Sequence, residues 1–569
     1  LKNSKFLWLF GLMLVLSVFL AACGDKEDAT TTKEDKNSTT ETSKETAAVI
    51  DEDQVLNLIE GAEIPTMDSS LMTDQVGFIV LNNVNEGLYR LNPENVAVPA
   101  ISDGEPTVSE DGLVYTFKIR DANWSDGSPV TANDFEYAWK RAMNPDMASE
   151  YGPYMMSGVI KNATEISEGT VDYNELGIKA LDEKTLEVTL EKPVPYFLSL
   201  MSFGTFYPLK EAFVTAQGDN YAKNSDSVLY NGPFTLADWD GTGLTWKYLK
   251  NDQYWDKDTV KLTEINVDVV KEVPTAVNLY TNGEKDRVGL SGDYASQYAD
   301  DPEVVNQPDT AVYYFKYNQE RLGKKSPLAN VNIREAISKG FNKEDLTSVV
   351  LANGSMPASY LIPKDFYFDE DGNDFRGVNG DMTAFDLEAA QAAWEKGLAE
   401  LGVKEISIEL LGSDSDVSKK MDEYLKSQLE KNLPGLKMSL KEVPFAVRLD
   451  LDTNQDYDIE FAGWGPDYQD PYSFLNLWET GGGNNHMSYS SSEYDQLLKD
   501  INGKLALDPE ARWNAMAKAE KLVVGEDYAI GPVYQKGAMI LEKSYVKGIA
   551  KHPFGGDYSY KWAYIEGKN

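Results

Sequence analysis

Trp464, Asp467 and Tyr468 stand together in Gly463-Trp-Gly-Pro-Asp-Tyr468, one acid flanked by two aromatic rings. A carboxylate beside indole and phenol faces can hold an ammonium through a charge-assisted hydrogen bond and cation–π attraction. Asp467 can equally be a turn residue that caps a following helix over Tyr472–Trp478. Composition alone weighs the two readings equally.

Other chemistry finds little material. The chain has two His and one Cys, and neither C-x-x-C nor H-E-x-x-H occurs, so no metal and no cofactor are expected. His486 lies in a Gly/Asn-rich loop and His552 precedes Pro553. No G-x-S-x-G elbow accompanies them, so both read as unremarkable surface or loop histidines. With 93 Asp+Glu, some close carboxylate pair is inevitable, so a glycosidase-like pair carries no weight. No catalytic residue is assigned, and the chain is not expected to be an enzyme. A net charge of −40, with no Lys/Arg cluster, excludes nucleic acid as a partner.

The single cysteine has a context of its own. Lys2 to Lys5 is a short basic stretch, and Phe6–Leu20 is an apolar run shorter than the roughly 20 residues of a comfortable membrane span. It ends in Leu20-Ala21-Ala22-Cys23, which resembles the lipobox of a bacterial lipoprotein signal. That resemblance implies removal of residues 1–22 and acylation of Cys23, with palmitate-type chains holding the protein at the membrane. Residues 24–46 are Lys, Glu, Asp, Thr and Ser with almost nothing to bury, so 23–46 reads as lipidated Cys plus disordered tether. Its root-mean-square reach is roughly 25–30 Å. The expected location is the extracytoplasmic face of a bacterial cell membrane, of Gram-positive type, reached through the lipid anchor only.

The body must position the Asp467 segment. At roughly 100–200 residues per domain, 569 residues allow two to four domains, and 42% hydrophobic content supports real cores. The class reads as mixed α/β. Leu113, Tyr115, Phe117 and Ile119 alternate along a half-buried strand. Thr131-Ala-Asn-Asp134 has capping-box spacing, before a helix with Phe135, Ala138, Trp139 and Ala142 on one stripe. Farther on, a strand at Ile406–Leu411, a helix at Ser418–Lys431 and strands at Leu436–Val443 and Tyr457–Trp464 form a βαβ pattern, which forces a parallel pair. Ligands bind beyond the carboxyl ends of such strands, which is where Trp464, Asp467 and Tyr468 fall.

Several longer stretches carry a resemblance. Tyr115-Thr-Phe-Lys-Ile-Arg120 with Trp124-Ser-Asp-Gly-Ser-Pro-Val-Thr131 is similar to the signature of family 5 extracellular solute-binding proteins of ABC importers. Leu186–Leu190 with Pro193–Phe197, Asn231–Leu236, Asn332–Ile337 and Gly463–Tyr468 leading to Ser473-Phe-Leu475 continue the likeness. It spans about residues 54 to 565 and looks like the oligopeptide-binding branch. The resemblance implies a two-lobed periplasmic-binding-protein-like fold of type II, closing by a hinge, with an additional third domain. Lobe I would combine residues 47–87, 208–310 and 533–569; domain II would be 88–207; lobe II would be 311–532.

It also implies a function and a site. The protein would be a monomer that captures oligopeptides between its lobes and delivers them to an ABC permease with cytoplasmic ATPases. Asp467 matches the carboxylate that pairs with the ligand's α-ammonium in peptide-binding relatives, and Trp464 matches an aromatic wall. Some relatives carry Arg where Phe461 stands, a charge that meets the carboxylate of short peptides. Phe461 therefore points to peptides longer than three residues, held through main-chain hydrogen bonds, with Arg448 a possible substitute for the lost charge. Trp124 and Asp126 read as structural, and Tyr89, Tyr151 and Tyr154 read more readily as core aromatics than as ligand contacts. An oligosaccharide or other non-peptide ligand, or a dedicated signalling peptide, would fit the same fold.

Overall fold

The structure is a computed structural model that describes residues 50–568, apart from 195 and 507. Cys23, the expected signal 1–22 and the tether 23–46 lie outside the described residues. Among those described, no helix is long and apolar enough to cross a membrane.

The described chain opens with β1 (Val55–Glu60) and α1 (Gln75–Val84). Asp74 caps α1, its Oδ1 accepting from Gly77 N at 2.7 Å. A small antiparallel sheet follows, from β2 (Thr107–Val108), β3 (Val114–Lys118), β4 (Ile178–Asp182) and β5 (Thr185–Thr189), in the order β2-β3-β5-β4. Between β3 and β4 lie α2 (Ala132–Met143) and α3 (Tyr151–Met156). The capping box read from the sequence is present at α2, where Thr131 N donates to Asp134 Oδ2 at 2.9 Å. Asp134 also accepts from Trp124 Nε1 at 3.1 Å, so the Trp-Ser-Asp-Gly segment is tied to a helix start. Trp124 is buried and is not among the residues that line the cleft described below.

The chain then returns to β1 through β6 (Phe234–Ala237), β7 (Thr245–Lys250) and β8 (Glu264–Val269), giving the order β1-β8-β7-β6 with β1 parallel to β8. One hydrophobic core joins this sheet to the preceding one, with Leu56, Phe117, Leu186, Trp246 and Ile265 among its members.

The largest sheet has seven strands. They are β9 (Arg287–Leu290), β10 (Val304–Tyr317), β11 (Met356–Pro357), β12 (Ile406–Ser413), β13 (Leu436–Val443), β14 (Ile459–Trp464) and β15 (Ile530–Glu542). Their order is β9-β15-β10-β14-β12-β13, with β11 beside β15. Between β12 and β13 runs α4 (Asp416–Asn432), which buries Met421, Leu425 and Leu429. A shorter helix, α5 (Phe445–Thr453), connects β13 to β14. β12 pairs parallel with both β13 and β14, the βαβ arrangement that the strand and helix lengths require.

This sheet is covered on both faces. Phe315, Ile459 and Phe461 pack into one core, and Val312, Tyr314 and Ala462 into another. β14 is buried from Ile459 to Ala462, as a central strand must be. β10 and β15 pair along most of their length, with register shifts between Pro308 and Val312 and between Tyr313 and Tyr314. The expected boundaries at 310/311 and 532/533 fall inside these two strands.

Candidate functional site

The carboxyl end of β14 opens into a cleft of about 420 Å³. Its walls come from three stretches far apart in sequence: the loop before α1 with Asp74, the start of α3 with Glu150 and Tyr151, and the β10–β14 region with Tyr313, Phe461, Trp464 and Asp467. The volume falls in the range of ligand pockets, roughly 300–1,000 Å³.

Gly463 is a positional requirement. It lies opposite Tyr313 in the β10–β14 register, and a Cβ there would meet the Tyr313 ring at 2.7 Å. The ring is thus laid flat over the strand, stacked on Tyr534 at 4.7 Å and on Phe461 at 5.9 Å. On the opposite side of β14, Trp464 stacks on Tyr151 at 6.3 Å and meets Tyr154 edge-on at 6.1 Å. Trp464 Nε1 is buried without a hydrogen-bond partner among the described residues.

Asp467 lines the same cleft as Trp464 and is only 5% exposed. Its Oδ2 accepts from Tyr154 Oη at 2.9 Å, and its backbone N donates to Ser473 Oγ at 2.8 Å. No cationic side chain among the described residues lies within ion-pair distance of it. Burial pushes its carboxyl up to about 7, against the pull of Tyr154, Ser473 and Tyr151, which favour the charged form. Desolvation outweighs three donors here because no positive charge is supplied.

The helix-capping alternative is removed. The helix after the turn spans Tyr472–Leu475, and Tyr472 N donates to Asp470, not Asp467, at 2.9 Å. Asp470 is itself held by Arg512 through two bonds of 2.7 and 2.8 Å. Asp470 is the structural carboxylate of the turn, which leaves Asp467 facing the cleft.

Of the four residues read as ligand-binding, the structure brings Phe461, Trp464 and Asp467 to the cleft and not Tyr468. Tyr468 is buried against Tyr196, the rings stacked at 4.7 Å and 2°. It follows Asp467 directly, and the turn sends the two side chains in different directions. Tyr89 is also outside the cleft, its hydroxyl donating to Glu105 at 2.6 Å. Tyr151 belongs to the core and Tyr154 packs against it, as read; Tyr151 also lines the cleft and Tyr154 donates to Asp467. Asp126 holds its own turn through Ser128 N at 2.9 Å.

Both histidines lie in loops, as read, but neither is a freely exposed surface residue. His552 is 2% exposed with Nδ1 2.8 Å from Asn95 Oδ1, and burial pushes its pKa down to about 3. His486 lines the cleft, its Nδ1 3.0 Å from Asp452 Oδ2.

An ionic network forms the cleft floor, and no sequence motif announced it. Lys316 on β10 stands opposite Glu460 on β14 and bridges it at 3.4 Å while also pairing with Asp452 on α5. Arg448, also on α5, donates to Glu460 at 2.6 Å and to the Phe461 carbonyl at 3.1 Å. Burial and the Asp452 charge raise Glu460; burial opposes ionisation of Asp452 too, but Lys316 and His486 hold it well below the usual carboxylate range. The cross-strand placement of Lys316 and Glu460 is legible only once register is known.

Comparison with known proteins gives a consistent answer. Residues 97–486 match the model of the bacterial extracellular solute-binding proteins, family 5. The chain is 32% identical over 579 residues to the dipeptide-binding protein of Lactococcus lactis, covering all of both chains. Among solved structures, Listeria monocytogenes OppA bound to peptide is 48% identical with a TM-score of 0.88, covering 90% of this chain and 99% of that one. The pheromone receptor PrgZ is 37% identical with a TM-score of 0.85, covering 90% of this chain and all of that one.

Proposed function

Since the chain belongs to the bacterial extracellular solute-binding proteins of family 5, with their two-lobed fold and additional domain, we propose that it captures oligopeptides in the cleft beside β14 and delivers them to an ABC permease with cytoplasmic ATPases. The observation that carries this reading is Asp467: a buried carboxylate, oriented by Tyr154, in the cleft that Trp464 also lines, with no cation paired to it among the described residues. An α-ammonium supplies the missing charge and relieves the cost of desolvation.

Ligand length follows from the cleft's cations. Lys316, Arg448 and Lys536 are each within 3.4 Å of a carboxylate of the protein. Arg448 is thus committed to Glu460 and does not replace the charge that Phe461 lacks. With no unpaired Lys or Arg lining the cleft among the described residues, the site suits peptides longer than three residues, paired through their main chain. Closure is proposed to bend β10 and β15 near their register shift, which sets the lobe boundaries close to residues 310 and 532. One chain supplies every wall of the cleft, so a monomer suffices. Acylation at Cys23 would hold it on the outer face of the membrane.

The likeness to PrgZ, a pheromone receptor, favours one second reading, a dedicated signalling peptide at the same site. Mass spectrometry of material released on denaturing protein purified from rich medium tests both. A mixture of short peptides with free amino termini is expected; a single sequence indicates the signalling role. Sugars or other non-peptide material would overturn the proposal.

A further inference from the structure

Seven carboxylates line the cleft, and they fall into two groups. Asp414, Asp452, Glu460 and Asp557 are each paired, with Lys271, Lys316, Arg448 and Lys551. Asp74, Glu150 and Asp467 have no cationic side chain within 4 Å among the described residues. These three arise from separate stretches of chain and line the same cleft as Tyr151. Burial is the main cause of that phenol's strongly raised pKa, and the charges of Asp467, Glu150 and Asp74 follow as the next three.

One terminal ammonium needs one carboxylate, so two remain. Asp74 is 4% exposed; one oxygen caps α1, while Oδ2 is buried with no partner and the residue lines the cleft. Among the described residues, the Glu150 carboxylate accepts one hydrogen bond, from the Thr453 hydroxyl at 3.3 Å. It feels His486, Asp452 and Lys316 more weakly than its own burial, and Lys316 is already engaged by Asp452 and Glu460. In the same cleft, the stacked Tyr151 and Trp464 rings offer faces for an alkyl stem and for cation–π contact.

We propose that Asp74 and Glu150 form a second cation-binding position around Tyr151, which takes a Lys or Arg side chain near the amino terminus of the bound peptide. This rests on the peptide reading of the cleft. Burial pushes Asp74 up to about 7 and raises Glu150, so a cation placed between them should also drive protons off them.

The test is calorimetry of the full-length protein with pentapeptides that differ only by Lys or norleucine at position one, two or three. Lys should bind about tenfold tighter at one of these positions, the least that a well-placed opposite charge gives. Proton release, read from two buffers of different ionisation enthalpy, should be larger for the Lys peptide. The Lys/norleucine affinity ratio should fall toward one in Glu150→Gln and in Asp74→Asn; Asn keeps the α1 cap, so that variant should fold. Equal binding of Lys and norleucine peptides at all three positions, or a ratio unchanged in both variants, would overturn the second position while leaving the peptide reading intact. Binding of neither peptide would overturn both.

Discussion

The Tyr154 hydroxyl donates to Asp467 Oδ2 at 2.9 Å, joining residues 313 positions apart in the chain. α3 therefore meets the turn after β14 at the carboxylate proposed to bind ligand. Such a bond both aims Asp467 and favours its charged form, and neither effect is available to an isolated turn.

Removing that carboxylate should be expensive for ligand and mild for the fold. In Asp467→Ala, affinity for free-amine peptides is expected to fall by roughly 3–5 kcal/mol, because a buried ammonium is left unpaired. Calorimetry on the variant reads this directly, and affinity within twofold of the parent would contradict it.

The pH dependence has a definite sign. Asp467, with its pKa near 7, is neutral in acid and cannot pair with an ammonium. A peptide α-amine loses its proton at about pH 7.7–8.0. Affinity should therefore peak between these values and decline on both sides. Between pH 7.5 and 5 the loss is expected to approach 100-fold, about tenfold per unit below the carboxyl pKa. Tyr154→Phe removes a donor to the charged form, so its acid limb should shift to higher pH. A flat profile would contradict the assignment.

The turn and its strand were legible in sequence because local chemistry determines them. β14 is mostly apolar and runs directly into Gly465-Pro466-Asp467, and α4 shows its buried stripe in the spacing of Met421, Leu425 and Leu429. What convergence creates was not legible. Glu150 and Asp74 become cleft residues only when α1 and α3 are brought against β14. Tyr468 was misread because it adjoins Asp467, yet packing on Tyr196 carries it away. His552 does lie in a loop, but the fold closes over that loop and buries it.

Asp134 separates structure from function. Its carboxylate satisfies Trp124 Nε1 and Thr131 N, so Asp134→Ala strands two donors. The expected cost is about 1–3 kcal/mol of stability, with peptide affinity unchanged. Denaturant unfolding alongside calorimetry checks both halves.

Gly463 tests the stacked wall. A methyl group placed 2.7 Å from the Tyr313 ring must displace it from Phe461 and Tyr534. Gly463→Ala should cost roughly 1–3 kcal/mol by overpacking. A thermal midpoint equal to that of the parent would show that the ring is free to move aside.

The most direct test of a peptide receptor anchored at Asp467 is paired calorimetry on protein stripped of carried-over ligand by partial unfolding and then refolded. One mixed-sequence pentapeptide is titrated, then its N-acetylated twin, which lacks the ammonium. Tight binding of the free amine with a large loss on acetylation is the predicted result. Equal affinity for the two would contradict the role assigned to Asp467, and no heat from either would remove peptides as the ligand.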